Sequence, residues 1–345
     1  MEFDLIARHF TRPTPHTALG PGDDGALIRP APGMELSVTT DMLVAGTHFF
    51  PDTNPEDLGW KTLAVNLSDL AAMGAAPRWA FLAISLPEVN EDWLAAFSAG
   101  FFECARTFGV DLAGGDVTRG PMNFCVTAMG EVPAGKALRR DGAQAGDDLW
   151  ISGQVGLAAL GLQQLQGTLA LPETLSRLCR KCLLRPQPRV ALGQALRGIA
   201  TAAIDLSDGL LADLGHVARR SALAARIFHP ALPPLPVPDV PEDIALTAFL
   251  SGGDDYELGF VAPPAARTKL AALAAELEIP LWRIGTLVPP DAAAPPGDVA
   301  LFGTDGKTIP LPASRGYDHF LPALTSERGE KIAPLPQVGE GLGRG

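Results

Sequence analysis

The chain has 345 residues, which is too long for one ordinary hydrophobic core and predicts two domains. Hydrophobic residues make up 47% of it and charged residues 19%, which is typical of a globular protein and excludes a disordered one. The net charge of −12 and the lack of a basic run disfavour nucleic-acid binding, and no apolar run is long enough to span a membrane. Four cysteines and a start without a signal peptide predict a cytoplasmic protein.

The N-terminal half alternates predicted strands and helices. After a short helix at 3–10, an acidic turn with Asp23 and Asp24 precedes a short strand at 26–28. A β-branched strand over 36–41 ends at Asp41, and the next helix begins after the N-cap Asn54 and stops at Gly74. The pattern then predicts a strand at 79–86, a helix capped by Asn90, a strand at 110–113 that ends in Gly-Gly-Asp, and a strand at 124–132.

The polar, glycine-rich segment 138–147 is the most plausible join between two domains. We therefore expect an N-terminal domain over 1–137, a C-terminal α/β domain over 138–325 and a disordered tail over 326–345. The second domain should contain strands at 149–151, 202–206, 256–261 and 281–287, helices near 156–166, 173–183, 189–199, 210–220 and 266–277, an irregular proline-rich crossing at 229–242 and a hairpin turn at 304–307. Interleaved strands and helices predict an α/β or α+β architecture.

Aspartates recur where predicted strands end or helices begin, namely at Asp23, Asp24, Asp41, Asp69, Asp116, Asp205, Asp208, Asp254 and Asp255. Any one of them is equally well explained as a turn former or a helix cap. Asp69, however, lies in the last turn of its helix, where the negative end of the dipole disfavours a carboxylate. Several carboxylates in one place repel each other unless cations neutralise them, and a set of oxygen ligands indicates Mg²⁺.

Other signals are weaker. The Gly-rich phosphate loops and the protein-kinase motifs are missing from the sequence. His48 beside Phe49 is better explained by packing in a loop than by ligand binding, and a lone Cys-x-x-Cys at 179–182 favours ordinary packing over zinc. Arg139 and Arg140 could bind a phosphate or face solvent.

Eight motifs in order resemble the thiamine-monophosphate kinase family over residues 1 to about 321. They are Gly-Asp-Asp at 22–24, Thr-Thr-Asp at 39–41, Gly-Thr-His-Phe at 46–49, Asn-Leu-Ser-Asp within 64–74, Gly-Gly-Asp at 114–116, Asp-Leu-Ser-Asp-Gly-Leu at 205–210, Ser-Gly-Gly-Asp-Asp-Tyr-Glu-Leu at 251–258 and Gly-Tyr-Asp-His-Phe at 316–320. The wider superfamily includes aminoimidazole-ribonucleotide synthetase and selenophosphate synthetase, which share the acidic strands.

The resemblance implies an N-terminal sheet domain that forms a homodimer, a C-terminal α/β domain, and an active site in the cleft between them. It implies ATP and several Mg²⁺ ions bound there, with metal ligands at Asp24, Thr39, Thr40, Asp41, Asp69, Asp116, Asp205 and Asp208. ATP would contact Gly115, Asp116, Arg140 and Ser207, and thiamine monophosphate would contact His48, Asp254 and Tyr317. Asp254 departs from the family, which commonly has Glu at this position.

The expected reaction is phosphoryl transfer from ATP to thiamine monophosphate, with Asp41, Asp69, Asp116 and Arg140 as the catalytic residues. Two alternatives remain open at this point. One is another ATP-dependent synthetase of the same superfamily, with a different acceptor pocket. The other is a protein that binds a magnesium nucleotide without turning it over.

Overall fold

The protein is described by a computed structural model over residues 2–234, 237 and 240–317. The predicted tail and the last residues of the final motif lie outside these residues. The N-terminal part contains α1 (Glu2–His9), β1 (Thr17–Leu19), β2 (Leu27–Ile28), β3 (Met34–Val44), α2 (Pro55–Ala72), β4 (Ala76–Leu86), α3 (Glu91–Phe108), β5 (Asp111–Arg119) and β6 (Asn123–Pro133). Among the described strands, β3, β6, β4 and β5 form one sheet in that order.

One face of this four-stranded sheet packs against α2 and α3, because the residues on alternate strand positions are apolar. The ring stack of Phe97, Phe124 and Trp93 lies in this core. Asn54 caps α2 as predicted, since its side-chain oxygen accepts the N–H groups of Glu56 and Asp57 at 2.9 and 3.3 Å.

The C-terminal part contains β7 (Asp148–Ser152), α4 (Leu157–Leu165), α5 (Glu173–Leu184), α6 (Val190–Leu196), β8 (Ala202–Leu206), α7 (Leu210–Arg220), β9 (Ala224–Phe228), α8 (Glu242–Ser251), β10 (Glu257–Ala262), α9 (Arg267–Leu277), β11 (Leu281–Val288), β12 (Val299–Phe302) and β13 (Thr308–Ile309). Its described strands form a mixed sheet in the order β13-β12-β9-β11-β7-β10-β8. The predicted α/β class with two sheet domains is confirmed. The boundary within 138–147 stays a prediction.

Two predicted strand ends are wrong. β3 continues past Asp41 to Val44, paired with β6 along its whole length. β5 runs through Gly114 and Asp116 to Arg119 because it pairs in parallel with β4. A side chain at Gly115 would lie 1.9 Å from the carbonyl oxygen of Leu82, so only glycine allows the two strands to pair this closely.

The pattern did not predict β1, β9 or α8, which are short or lie beside proline-rich segments. The long helix α2 joins the two parts of the molecule. Trp60 donates its indole N–H to the carbonyl oxygen of Pro186 at 2.8 Å, and Arg185 pairs with Asp57 and Glu103. Within the described residues, no helix is both long enough and apolar enough to cross a membrane.

Candidate active site

A cavity of about 700 Å³ lies where β3 and α2 meet the C-terminal part. Its wall is formed by nine of the residues that the sequence assigns to metal, nucleotide or substrate, namely Thr40, Asp41, His48, Asp69, Asp205, Ser207, Asp208, Asp254 and Tyr317. We call it the central cavity. Apolar residues of α2 and α4, among them Val65, Ala158 and Leu162, complete the wall.

The N-terminal side of the cavity is built from β3 and α2. Thr39 donates a hydrogen bond to Asp69, and the backbone N–H of Asp41 donates to the side-chain oxygen of Asn66 at 3.0 Å. Thr39 and Asp41 therefore face α2, since alternate residues of a strand share a face. Asn66 and Asp69 share a face of α2 through their three-residue spacing.

The acidic cluster, defined as Asp41, Asp69, Asp205 and Asp208, concentrates negative charge at this point. Burial together with the charges of Asp69 and Asp208 raises the pKa of Asp41 to about 7. Burial also raises the pKa of Asp69, although Thr39 and Arg140 oppose the change. The pKa of Asp205 is raised by burial first, then by the charge of Asp69. These carboxylates are costly to ionise together without a cation.

The donor set fits magnesium. Across residues 2–234, 237 and 240–317, no three Asp, Glu, His or Cys side chains are close enough to hold a metal ion by themselves. Mg²⁺ does not require such a cage, because one or two carboxylates commonly bind it together with substrate phosphates and water. Carboxylate and hydroxyl oxygens of the acidic cluster and of Thr39 and Thr40 are the ligand type that it prefers.

The C-terminal side depends on Asp213, which sequence reasoning missed. Its Oδ2 accepts the N–H groups of Ser207, Asp208 and Gly209 at 3.1, 3.2 and 3.1 Å, so it shapes the turn that presents Asp208. Burial and the charge of Asp208 raise the pKa of Asp213 to about 7, while these three bonds oppose the rise. The sequence contains a signal for this role, because Asp213 lies in the first turn of the helix predicted at 210–220. An acid at such a position is a common partner of free N–H groups.

The candidate substrate residues lie around the same turn. The N–H of Tyr317 donates to the carbonyl oxygen of Asp208 at 2.9 Å, and 51% of Tyr317 is exposed. The Nδ1 atom of His48 accepts the N–H of Val44 at 3.0 Å, so the proton of the neutral ring is on Nε2. The side chain of Asp254 is paired with Lys61 of α2, a second residue that the sequence analysis missed.

Not all the predicted ligands share this cavity. Asp24, Gly115 and Asp116 line a separate cavity of about 850 Å³ between α1, the acidic turn and β5. The expectation that all the aspartates meet in one pocket is therefore wrong within a single chain. The reason is that Asp116 lies on β5 and Asp41 on β3, which are opposite edges of the four-stranded sheet.

The two arginines of the join differ. Arg139 is exposed and makes two hydrogen bonds to Asp141, at 2.9 and 2.6 Å. Arg140 is also exposed and does not line either cavity, but its charge opposes the rise that burial causes in the pKa of Asp69. Of the two arginines, Arg140 is therefore the one whose charge acts on the acidic cluster.

Comparison with known proteins identifies similar sequences and structures. Residues 22–132 match the family described as AIR synthase related protein, N-terminal domain. The chain is 45% identical over 327 residues to the thiamine-monophosphate kinase of Salmonella typhimurium, which covers 92% of this chain and 98% of that protein. A crystal structure of thiamine-monophosphate kinase from Stenotrophomonas maltophilia K279a is 47% identical with a TM-score of 0.78, over 89% of this chain and 96% of that one. The structure of AaThiL complexed with AMPPCP and TMP is 28% identical with a TM-score of 0.71, over 92% and 96%.

Proposed function

Because the chain belongs to the thiamine-monophosphate kinase family, we propose that its reaction takes place in the central cavity with the help of several Mg²⁺ ions. The reaction is the ATP-dependent phosphorylation of thiamine monophosphate to thiamine diphosphate. The observation that carries the placement is the convergence of the acidic cluster, where burial raises the pKa of Asp41 and of Asp205 and the charge of Asp69 adds to both rises.

The acceptor of the phosphoryl group is itself a phosphate. Its second pKa is about 6, so it is largely dianionic at neutral pH and needs no general base. The chemical problem is to bring two anions together and to align them for in-line attack. We therefore propose direct transfer, without a phosphorylated protein intermediate. Rapid quench with labelled ATP tests this, because a stoichiometric covalent protein phosphate would contradict direct transfer.

The acidic cluster, with Thr39, Thr40, Asp24 and Asp116, would hold the Mg²⁺ ions. Bound Mg²⁺ supplies charge neutralisation of the phosphate oxygens. The positive charge of Arg140 acts on Asp69, and Ser207 lies in the turn held by Asp213. Release of ADP that requires both thiamine monophosphate and Mg²⁺ supports this proposal. Turnover that is unchanged in excess EDTA would contradict it.

Substrate recognition is proposed for His48, Asp254 and Tyr317, which line the same cavity. The exposed ring of Tyr317 suits the cationic thiazolium of thiamine, since an aromatic face attracts a cation. ATP is proposed to contact Gly115, Asp116, Arg140 and Ser207.

We further propose that the active protein is a homodimer built on the open face of the four-stranded sheet. On the strand β3, Leu36, Val38 and Met42 are 38%, 54% and 52% exposed and point away from α2. Such an apolar stripe on the open face of an edge strand is a typical interaction surface. A two-fold dimer that sets β3 beside β5 of a second copy would bring Asp116 of the partner subunit toward the acidic cluster.

A mixing experiment tests the shared site. The variants Asp41→Asn and Asp116→Ala are each expected to be inactive, but exchanged heterodimers would contain one intact site and one doubly mutated site. Equal mixing should then restore about a quarter of the wild-type activity, since half of the dimers are mixed and each has one good site. No recovery after verified exchange would place both residues in the same chain's site.

All four cysteines, which lie within the described residues, are free thiols. This state is consistent with a protein of the reducing cytoplasm, where we propose that it acts.

A further inference from the structure

Lys61 occupies an unusual place for a lysine. It lies on α2 between Trp60 and Thr62, and its side chain is only 3% exposed. An ammonium group removed from water is strongly disfavoured unless an opposite charge pairs with it. Its Nζ lies 3.0 Å from Oδ2 of Asp254, whose side chain is 30% exposed at the wall of the central cavity.

The other oxygen of this carboxylate also has a donor. The hydroxyl of Tyr256 donates to Oδ1 of Asp254 at 3.0 Å, and Tyr256 itself is buried in the N-terminal core. We call Lys61, Asp254 and Tyr256 the Asp254 clamp. Because both oxygens are bonded to buried groups, the plane of the carboxylate is fixed with respect to the cavity.

The backbone holds the clamp in place. Asp254 and Tyr256 have φ angles of 65° and 51°, in the left-handed region that side chains rarely adopt. The N–H of Asp254 donates to the carbonyl oxygen of Ser207 at 2.9 Å, and that of Tyr256 donates to Leu206 at 2.8 Å. The clamp is therefore attached to the turn that presents Asp208. Strained backbone of this kind is concentrated at binding sites.

Lys61 also lies on the same face of α2 as two residues that line the central cavity. Lys61, Val65 and Asp69 are four residues apart, so they lie on one face of the helix, and the latter two line the central cavity. Lys61 does not line it, and its ammonium group contacts the cavity wall at the carboxylate of Asp254. Any effect of Lys61 on a bound molecule must therefore act through Asp254.

We propose that Lys61 is a positioning residue for thiamine monophosphate, and that it holds the Asp254 carboxylate oriented toward the substrate. Lys61 neutralises the charge of Asp254, as Mg²⁺ is proposed to do for the acidic cluster. Asp254 is then an acceptor for the organic part of the substrate and not a metal ligand. This inference rests on the proposed placement of thiamine monophosphate in the central cavity.

The test compares steady-state constants of Lys61→Met with those of the wild type. Methionine keeps the length of the side chain and removes the charge. We expect the KM for thiamine monophosphate to rise about tenfold, the effect of losing one charge-assisted contact. The KM for ATP and kcat should change less than about threefold, since neither depends on Asp254. Lys269→Met, on the exposed face of α9, is the matched control and should change neither constant.

Two further variants test the same contacts of Asp254 independently of the single Lys61→Met change. Tyr256→Phe removes only the hydroxyl and should raise the same KM by about threefold. The double variant Lys61→Met/Asp254→Asn leaves no buried unpaired charge, and its KM should be no higher than that of Asp254→Asn alone, because both changes remove one interaction. If Lys61→Met does not fold, these two variants still test the clamp.

Different failures have different meanings. A folded Lys61→Met variant with a wild-type KM for thiamine monophosphate, or with equal rises in both KM values, overturns the positioning role. If Asp254→Asn and Tyr317→Leu both leave this KM unchanged, the proposed substrate placement fails instead, and the clamp fails with it.

Discussion

The replacement Asp41→Asn removes one charge of the acidic cluster at nearly constant side-chain size. In the metal-free protein, burial and the charges of Asp69 and Asp208 raise the pKa of Asp41 from 3.8 to about 7. Between these two pH values the unfolded chain releases its proton while the folded chain retains it. The folded state therefore loses stability as the pH rises from about 4 to about 7, and the whole penalty is present at pH 8.

The size of the effect follows from the pKa. A rise of about 3 pH units, at about 1.4 kcal/mol for each, gives at most about 4 kcal/mol at pH 8. Asparagine cannot ionise, so the metal-free variant should be more stable than the wild type at pH 8 by about 1 to 4 kcal/mol. At pH 4 the two proteins should be nearly equal.

Urea unfolding at pH 4 and pH 8, in EDTA and in Mg²⁺, measures this difference. Mg²⁺ should stabilise the wild type more than Asp41→Asn, because the variant has one ligand fewer. Asp52→Asn, a change at an exposed loop position, is the control and should leave all four values unchanged. If Asp41→Asn is no more stable than the wild type at pH 8 in EDTA, neither burial nor the neighbouring carboxylates make an ionised Asp41 costly to the folded protein, which would contradict the prediction.

Three other predictions concern activity and assembly. Asp69→Asn should lower kcat at least about 100-fold while the melting temperature stays within a few degrees, since a lost metal ligand is worth several kcal/mol in the transition state; wild-type turnover at low Mg²⁺ would contradict this. Tyr317→Leu should raise the KM for thiamine monophosphate about five- to tenfold with little change in kcat, as measured by coupled ADP release; an unchanged KM removes the proposed stacking. Val38→Lys should give a monomer in sedimentation experiments, because a charge cannot be buried in the proposed interface; an intact dimer would place the interface elsewhere.

Local sequence signals predicted much of the fold. The predicted cap at Asn54, strand at 124–132 and turn at 304–307 depend on neighbouring residues, and the structure has a helix, a strand and a hairpin there. β5 was cut short in the prediction because glycine usually ends a strand, whereas its pairing with β4 requires glycine at 115. That requirement comes from a neighbour that is distant in sequence.

In the candidate site too, the sequence patterns identify residues but not their arrangement in space. The motifs identified the acids of the central cavity, but they could not show that Asp24 and Asp116 line another one, because that depends on the order of strands in the sheet. Asp213 and Lys61 lie outside the eight motifs. Their importance follows from three-dimensional contacts. Asp213 accepts three N–H groups, and the buried Lys61 pairs with the carboxylate of Asp254 at the cavity wall.

Divalent ions bound by the acidic cluster are proposed to let two anionic reactants meet. A crystal structure with Mn²⁺, AMPPCP and thiamine monophosphate tests it most directly, because anomalous scattering locates the metal ions. We expect anomalous peaks within about 2.5 Å of oxygens from at least two residues of the cluster and from the phosphates. Phosphates bound in the central cavity with no metal ion next to Asp41, Asp69, Asp205 or Asp208 would contradict it.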